Sequence, residues 1–191
     1  MTPPVDPKSL TCDPTSIRWD LAGPYAPTSR EAPRNVRPSS TFFNRGQNTW
    51  TLIARSKPAL GGGNWACAIP MSAMTSSNSA PLRQGFCVRA KNMYGLPVIG
   101  IGYEFVLRTA VGSGGSGGYI TRLEIAPTNV DVASGWNVDL MVVVQSPAEY
   151  GSPGALSAAL PVMLQLNIST SIKSDQSNKS HVAFPQGVLI G

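Results

Sequence analysis

The side chains that could carry out acid–base or nucleophilic chemistry are few in this sequence. The chain has one histidine, His181, which follows the polar stretch Ser174–Ser180. A Ser-His-Asp or Cys-His mechanism would need this histidine as its base. No Gly-x-Ser-x-Gly pattern stands between a strand pattern and a helix pattern, as a nucleophile elbow requires. We therefore predict no catalytic residue and interpret the sequence as that of a protein without enzymatic activity.

A glycine-rich stretch, Gly112–Gly117, matches the Gly-x-Gly-x-x-Gly pattern literally. That pattern binds phosphate when a strand precedes it and a helix follows it, because the helix N-terminus then faces the anion. Here the alternating pattern of a strand, Tyr119–Ile125, follows instead, with Tyr119, Thr121, Leu123 and Ile125 on its apolar face. The stretch is therefore predicted to be a flexible loop.

The residues that could bind a metal ion are also dispersed. Cys12, Cys67 and Cys87 lack ligand spacing, and together with one histidine they make no zinc site. Cys67 and Cys87 lie in apolar patterns that predict buried thiols. No metal or cofactor is predicted; a paired-carboxylate glycosidase site and a calcium site at Asp131 or Asp139 are the alternatives.

Charge is sparse and unevenly distributed. Charged residues make up 13% of the chain, below the roughly 25% of an average soluble domain, and the net charge is +5. So few charges favour a chain that buries much of its surface against partners. Six basic residues cluster in the first part of the sequence and are expected to contact RNA non-specifically or to form inter-subunit salt bridges: Arg30, Arg34, Arg37, Arg45, Arg55 and Lys57.

Residues 1–48 differ in composition from the rest of the chain. Eight prolines interrupt this segment so closely that neither a helix nor a central strand can run through it. The segment is predicted to be an extended arm that folds back over its own domain or crosses onto a neighbouring copy. Five apolar side chains in the arm and at the C-terminus are candidate inter-subunit anchors: Trp19, Tyr25, Val188, Leu189 and Ile190.

Residues 49–191 show the period-two alternation of half-buried strands. The clearest runs place Trp136, Val138, Leu140, Val142 and Val144 on one face and, further on, Val162, Leu164, Leu166, Ile168 and Ile172 on one face. Gly-, Pro- and Ser-rich segments separate the runs, and no stretch has convincing helical periodicity. The pattern predicts an all-β fold, a two-sheet β-sandwich of about eight strands of the jelly-roll type.

The layout of an extended arm (Met1–Asn48) followed by a sandwich that ends in two strands, Trp136–Gln145 and Val162–Ile172, with a long loop between them, resembles a known family. These are the single jelly-roll coat proteins of small icosahedral RNA viruses, in particular the small coat proteins of picorna-like plant viruses. The N-terminal segment departs from many of them because it lacks a strongly basic arm.

The resemblance implies a structural capsid protein that self-assembles into an icosahedral shell and is located in the virion. Its partners would be other copies of itself, other coat subunits and weakly bound RNA. No window of 18 apolar residues is present, so no membrane contact is expected. The alternative is a non-catalytic recognition module, a carbohydrate-binding or phage decoration domain that uses Trp65 and Tyr150.

Overall fold

The computed structural model describes residues 6–22, 35–44, 46, 49–54, 58–59, 65–70, 80–111 and 117–190; for 49–54, 58–59 and 189–190 it describes the backbone only. After a short 3-10 helix, Pro7–Leu10, fourteen strands follow: β1 Cys12–Ala22, β2 Arg37–Pro38, β3 Phe42–Phe43, β4 Thr49–Ala54, β5 Pro58–Ala59, β6 Ala66–Pro70, β7 Leu82–Asn92, β8 Pro97–Val111, β9 Gly118–Val132, β10 Asn137–Val144, β11 Ala148–Tyr150, β12 Ser157–Ser169, β13 Ser174–Phe184 and β14 Gly187–Ile190.

These strands form two sheets, and every pairing between the described strands is antiparallel. The six-stranded sheet has the order β1-β7-β8-β9-β6-β3. The eight-stranded sheet has the order β14-β13-β12-β10-β4-β5, with β11 paired to β12 and β2 paired to β11. The prediction of an all-β, two-sheet sandwich is confirmed.

The order of the strands shows how the chain connects them. Strands β7, β8 and β9 follow one another as hairpins, and β6 lies beside β9, which is a Greek-key arrangement. In the larger sheet β10, β12 and β13 are neighbours, and the short strand β11 lies between β10 and β12 in the chain. A jelly roll is built from two Greek keys, and this strand order does not confirm that finer prediction.

The alternating residues face the space between the sheets and form one large core. All five residues of the Trp136–Val144 series are at most 3% exposed. Of the five residues predicted to share the second apolar face, the four that lie on β12 are at most 1% exposed. Ile172 is 52% exposed, so its assignment to the core was wrong. Strand β12 ends at Ser169, and the turn over residues 170–173 breaks the alternation before it reaches Ile172.

A β-bulge changes which residues of β9 face the core. Leu107 pairs with Leu123 and Arg108 with Arg122, but Thr109 pairs with Ile120, so Thr121 is the extra residue. Ile120 is therefore buried at 0% exposure, whereas the sequence pattern assigned Thr121 to the apolar face. That assignment of Thr121 was wrong because a bulge reverses the alternation beyond it.

Part of the proline-rich segment lies on its own domain. Strand β1 pairs with β7 from Cys12 opposite Asn92 to Ala22 opposite Gly85, as the edge of the six-stranded sheet. The pairing is interrupted between Asp13 and Arg18. Pro14 falls in this interruption, where its missing N–H costs no ladder hydrogen bond.

The C-terminal strand also packs against its own chain. β14 pairs with β13, and Val188 is 1% exposed within the main core. The buried side chain of Gln84 donates to the carbonyl of Val188 at 2.8 Å and accepts from its N–H at 2.9 Å. Val188, a candidate inter-subunit anchor, is thus an internal core residue of the sandwich.

Candidate interaction surfaces

The two outward sheet faces differ in their charge. We call the outward positions of β7, β8 and β9 the charged face, because eight of these fifteen side chains are charged. They are Arg83, Gly85, Cys87, Arg89, Lys91, Gly100, Gly102, Glu104, Val106, Arg108, Arg122, Glu124, Ala126, Asn129 and Asp131.

We call the outward positions of β10, β12 and β13 the charge-poor face, because one of these twelve side chains, Asp139, is charged. The face consists mainly of amides, hydroxyls and two methionines: Asn137, Asp139, Met141, Val143, Met163, Gln165, Asn167, Ser169, Ser174, Gln176, Asn178 and Ser180. Few charges and the presence of methionine distinguish the centres of protein–protein interfaces from ordinary protein surface.

Two arginine pairs lie directly across strands on the six-stranded sheet. Arg108 of β8 is opposite Arg122 of β9, and Arg18 of β1 is opposite Arg89 of β7. Side chains directly opposite each other have Cβ atoms about 4.5–5.5 Å apart, and like charges there destabilise the sheet. An anion near either pair would relieve this repulsion.

The Arg108–Arg122 pair lines a recess of about 510 Å³. Arg122 donates from Nε to Glu124, and its guanidinium carbon lies 5.6 Å from the ring centroid of Trp65. Arg83 forms an ion pair with Glu104 at the same end of the sheet. We call this the Trp65 recess; its lining residues are Trp65, Pro81, Arg83, Val106, Arg108, Thr121, Arg122 and Glu124.

The bulged residue Thr121 borders the Trp65 recess. Its hydroxyl oxygen is buried, and no hydrogen-bond partner is present for it among the described residues. A buried hydroxyl without a partner costs free energy, so such groups are nearly always satisfied in folded proteins.

A second recess, of about 520 Å³, contains the Arg18–Arg89 pair. It also contains Lys91, but Asp20 and Asp131 line it as well. No aromatic side chain is among the described residues that line it.

Of the six basic residues predicted to contact RNA or other subunits, Arg37 is the one within the described residues. Its Nε lies 3.1 Å from Oε1 of Glu149, so its ion pair is formed inside the chain, between β2 and β11. Glu149 is 4% exposed; burial raises its pKa, but hydrogen bonds from Thr41 and Ser39 and the nearby Arg37 outweigh burial and lower the pKa. The other five, Arg30, Arg34, Arg45, Arg55 and Lys57, lie outside the described residues.

The other anchor candidates, and the candidate ligand contact Tyr150, have the following positions. Trp19 is partly buried and packs on its own core, and its indole N–H donates to the Ser177 hydroxyl at 3.1 Å. Tyr25 lies outside the described residues, and Leu189 and Ile190 belong to β14. Tyr150, a possible ligand contact of the alternative function, packs on Phe184 and donates to Gln186.

The single histidine is part of the core. His181 is 1% exposed, and its ring packs against those of Phe86 and Phe105, with centroids 4.8 and 5.2 Å away. Its Nε2 lies 3.3 Å from the Tyr103 hydroxyl, and Nδ1 has no partner among the described residues. Burial, with a smaller contribution from Lys179, lowers the pKa of His181 to about 4.

The structure also shows the environment of the three cysteines, of the end of the glycine-rich stretch and of the described residues that could bind a metal ion. Cys12, Cys67 and Cys87 are buried and form no disulfide, and burial was predicted for Cys67 and Cys87. Strand β9 follows the Gly112–Gly117 segment directly, so the absence of a helix after it is confirmed. Within the described ranges, no three His, Cys, Asp or Glu side chains lie close enough together to hold a metal ion.

The comparisons with known proteins identify no relative. No protein-family model, no curated protein and no solved structure matches this chain. The described residues contain no helix with the length and hydropathy of a membrane span.

Proposed function

We propose that this protein is a structural subunit that assembles with copies of itself into a closed shell, as a viral coat protein does. The observation that supports the proposal is the charge-poor face, where one of twelve outward side chains on three adjacent strands is charged. The face can pack against another sheet or loop with little cost for removing charges from water.

The size of this face agrees with assembly through several modest contacts. Three strands about 4.8 Å apart and about 26 Å long present a flat area of roughly 370 Å². A stable interface between two proteins buries about 800 Å² on each partner. One such contact is therefore weak by itself, whereas a symmetric shell sums several contacts for every subunit.

The first test places a positive charge at the centre of the charge-poor face. Gln165 lies between Met141 and Asn178 on the neighbouring strands, so Gln165→Lys would bury an unpaired ammonium in the proposed interface. We expect wild type to form large particles at neutral pH and Gln165→Lys to remain a species of about 20 kDa. Sedimentation velocity measures both.

The matched control introduces the same charge on the opposite sheet. Ala126 is directly opposite Glu104 on the charged face, so Ala126→Lys adds a lysine beside a carboxylate. The control should assemble as wild type does, with unchanged circular dichroism in all three proteins. Normal particles from Gln165→Lys, or equal loss from both variants, would refute the role of the charge-poor face.

The alternative function, a recognition module, is supported by one observation, the aromatic and cationic Trp65 recess. A module of this kind would stay monomeric at every concentration and bind a ligand. Sedimentation over a range of protein concentrations separates this function from shell assembly.

A further inference from the structure

We propose that strand β1 pairs antiparallel with β1 of a second copy of this chain, about a two-fold axis that passes through Trp19. The pairing would join two six-stranded sheets into one continuous sheet. This inference adds a contact surface to shell assembly but does not rest on it, because β1 and the charge-poor face belong to different sheets.

The side of β1 that faces away from β7 is an open sheet edge. β1 is the outermost strand of the six-stranded sheet, and β7 is its one neighbour among the described strands. The N–H and C=O groups on the far side of an edge strand need water or another strand as partners. Proline and irregular pairing often protect such edges. In β1 both occur before Arg18, whereas residues 18–22 keep a regular register with β7.

The charges on this regular part are arranged symmetrically about Trp19. Arg18 precedes it, Asp20 follows it, and both side chains are exposed. In an antiparallel pair centred on Trp19, Arg18 of each copy lies directly opposite Asp20 of the other, so two ion pairs form about the axis. Opposite charges at opposed positions stabilise a sheet. A register shifted by two residues would place Arg18 opposite Arg18 or Asp20 opposite Asp20, so the charges also select the register.

Neither charge is used in an ion pair within the described part of the chain. Arg18 donates from one nitrogen, Nη1, to the carbonyls of Thr15 and Ile17 at 2.7 and 3.2 Å. Its Nε and Nη2 carry the other three of its five donors. The side chain of Asp20 has neither a hydrogen bond nor an ion pair with a described residue. A second copy of β1 would supply the missing partner to both.

The pairing would also offset repulsion on the outward face of the sheet. Arg18 is directly opposite Arg89 of β7, whereas Asp20 is opposite Cys87. Like charges in this position destabilise the sheet. The carboxylate of Asp20 from the second copy would lie on the other side of Arg18, where it compensates these two cations.

The inward side chains of the same edge are apolar. Ile17 and Trp19 are partly buried against the core, and Leu21 is 45% exposed. In the centred pairing Leu21 of one copy lies opposite Ile17 of the other, so each leucine loses contact with water. The five paired residues span about 17 Å, which is short for a stable interface, so the dimer should require a high protein concentration.

The test is sedimentation equilibrium of Gln165→Lys over a range of protein concentrations, because this variant lacks the proposed shell contact. We expect its mass to rise from 20.1 kDa toward twice that value as the concentration increases. Amide hydrogen exchange in residues 17–21 should slow over the same range. If wild type forms no particles, the same titration is made with wild type, and a dimer there would support β1 pairing although shell assembly had failed.

Charge variants in the same background test the register. Asp20→Arg places arginines opposite each other and should weaken the dimer at least tenfold. Addition of Arg18→Asp to this variant exchanges the two charges and should restore the affinity to within about threefold. The matched control, Asp131→Arg, makes the same charge change at an exposed position of β9, with two strands between it and β1. It should change the affinity less than twofold.

Three results would overturn the proposal, provided that circular dichroism shows all variants to be folded. The first is a mass that stays at 20.1 kDa up to about 1 mM protein, which would leave the edge to a strand of another protein. The second is an equal loss of affinity in Asp20→Arg and Asp131→Arg. The third is a dimer that the charge exchange does not restore, because the two copies would then associate in a different way.

Discussion

At the scale of single residues, His181 shows how a polar side chain can be part of a sheet core. Three aromatic residues surround its ring, and the Tyr103 hydroxyl at 3.3 Å provides its one hydrogen bond among the described residues. A protonated imidazolium in this place would be buried without a carboxylate partner, which is costly. The fold therefore keeps the ring neutral.

The lowered pKa of His181 predicts acid sensitivity between pH 6.5 and 4. The unfolded chain takes up a proton near pH 6.5, but the folded chain takes it up at about 4, so the free energy of unfolding falls as the pH decreases through this window. The full loss is about 3 kcal/mol, since one pKa unit corresponds to about 1.4 kcal/mol. Urea unfolding at pH 7.5 and pH 4 measures it.

The His181→Leu variant isolates this contribution. It should be less stable than wild type at pH 7.5 because it leaves the Tyr103 hydroxyl without a partner and packs differently. Its stability should nevertheless change less than that of wild type between the two pH values. Identical pH dependence in both proteins would show that the pKa of His181 does not change when the chain unfolds.

At the scale of elements, the attachment of β1 to β7 depends on a glycine. A Cβ atom added to Gly85 would lie 2.5 Å from the carbonyl oxygen of Ala22, at the end of β1. Gly85→Ala should therefore displace the last residues of β1 and cost about 1–3 kcal/mol of unfolding free energy. Amide hydrogen exchange should report lost protection in residues 18–22 and normal protection in β12.

Gly100 offers the matched control on the neighbouring strand. A Cβ atom added there would meet only the Cβ atom of Asp131, at an ordinary contact distance of 3.9 Å. Gly100→Ala should leave protection of β1 unchanged and stability within about 0.5 kcal/mol, since alanine is better than glycine inside a strand. Equal losses in both variants would contradict the close packing of β1 on Gly85.

The strands that the sequence predicted well are those whose alternation is uninterrupted. The Trp136–Val144 series and the first four positions on β12 are buried as expected because both strands contact the core along their length. The errors at Thr121 and Ile172 come from a bulge and a strand end. Neither feature changes the residue types, so the period-two pattern does not reveal it.

The arginine pairs could not be predicted for a related reason. Arg108 and Arg122 are separated by a hairpin, and only the register between β8 and β9 places them opposite each other. A shift of one residue would turn one of them to the other face of the sheet. Trp65 was predicted from the sequence as a possible ligand contact, but its contact with Arg122 follows only from the folded structure.

At the scale of the whole molecule, the outward faces of the two sheets differ in charge. The charged face carries the arginine pairs and the Trp65 recess, whereas the charge-poor face has one carboxylate. Repulsion between subunits at the charge-poor face is small, so contact there should respond weakly to salt.

Point variants test assembly better than removal of the N-terminal segment does. Deletion of residues 1–48 would remove β1 together with Cys12 and Phe42, which are 1% and 6% exposed in the core. Loss of assembly after such a deletion would therefore include loss of folding. The charge-poor face allows a surface change that leaves the core intact.

The most direct test of shell assembly is the particle size of the purified wild-type chain at neutral pH, measured by light scattering together with negative-stain microscopy. We predict uniform closed particles tens of nanometres across, which persist at 0.5 M salt because their contacts lie on the charge-poor face. A single species of 20.1 kDa at every protein concentration would contradict the proposed function.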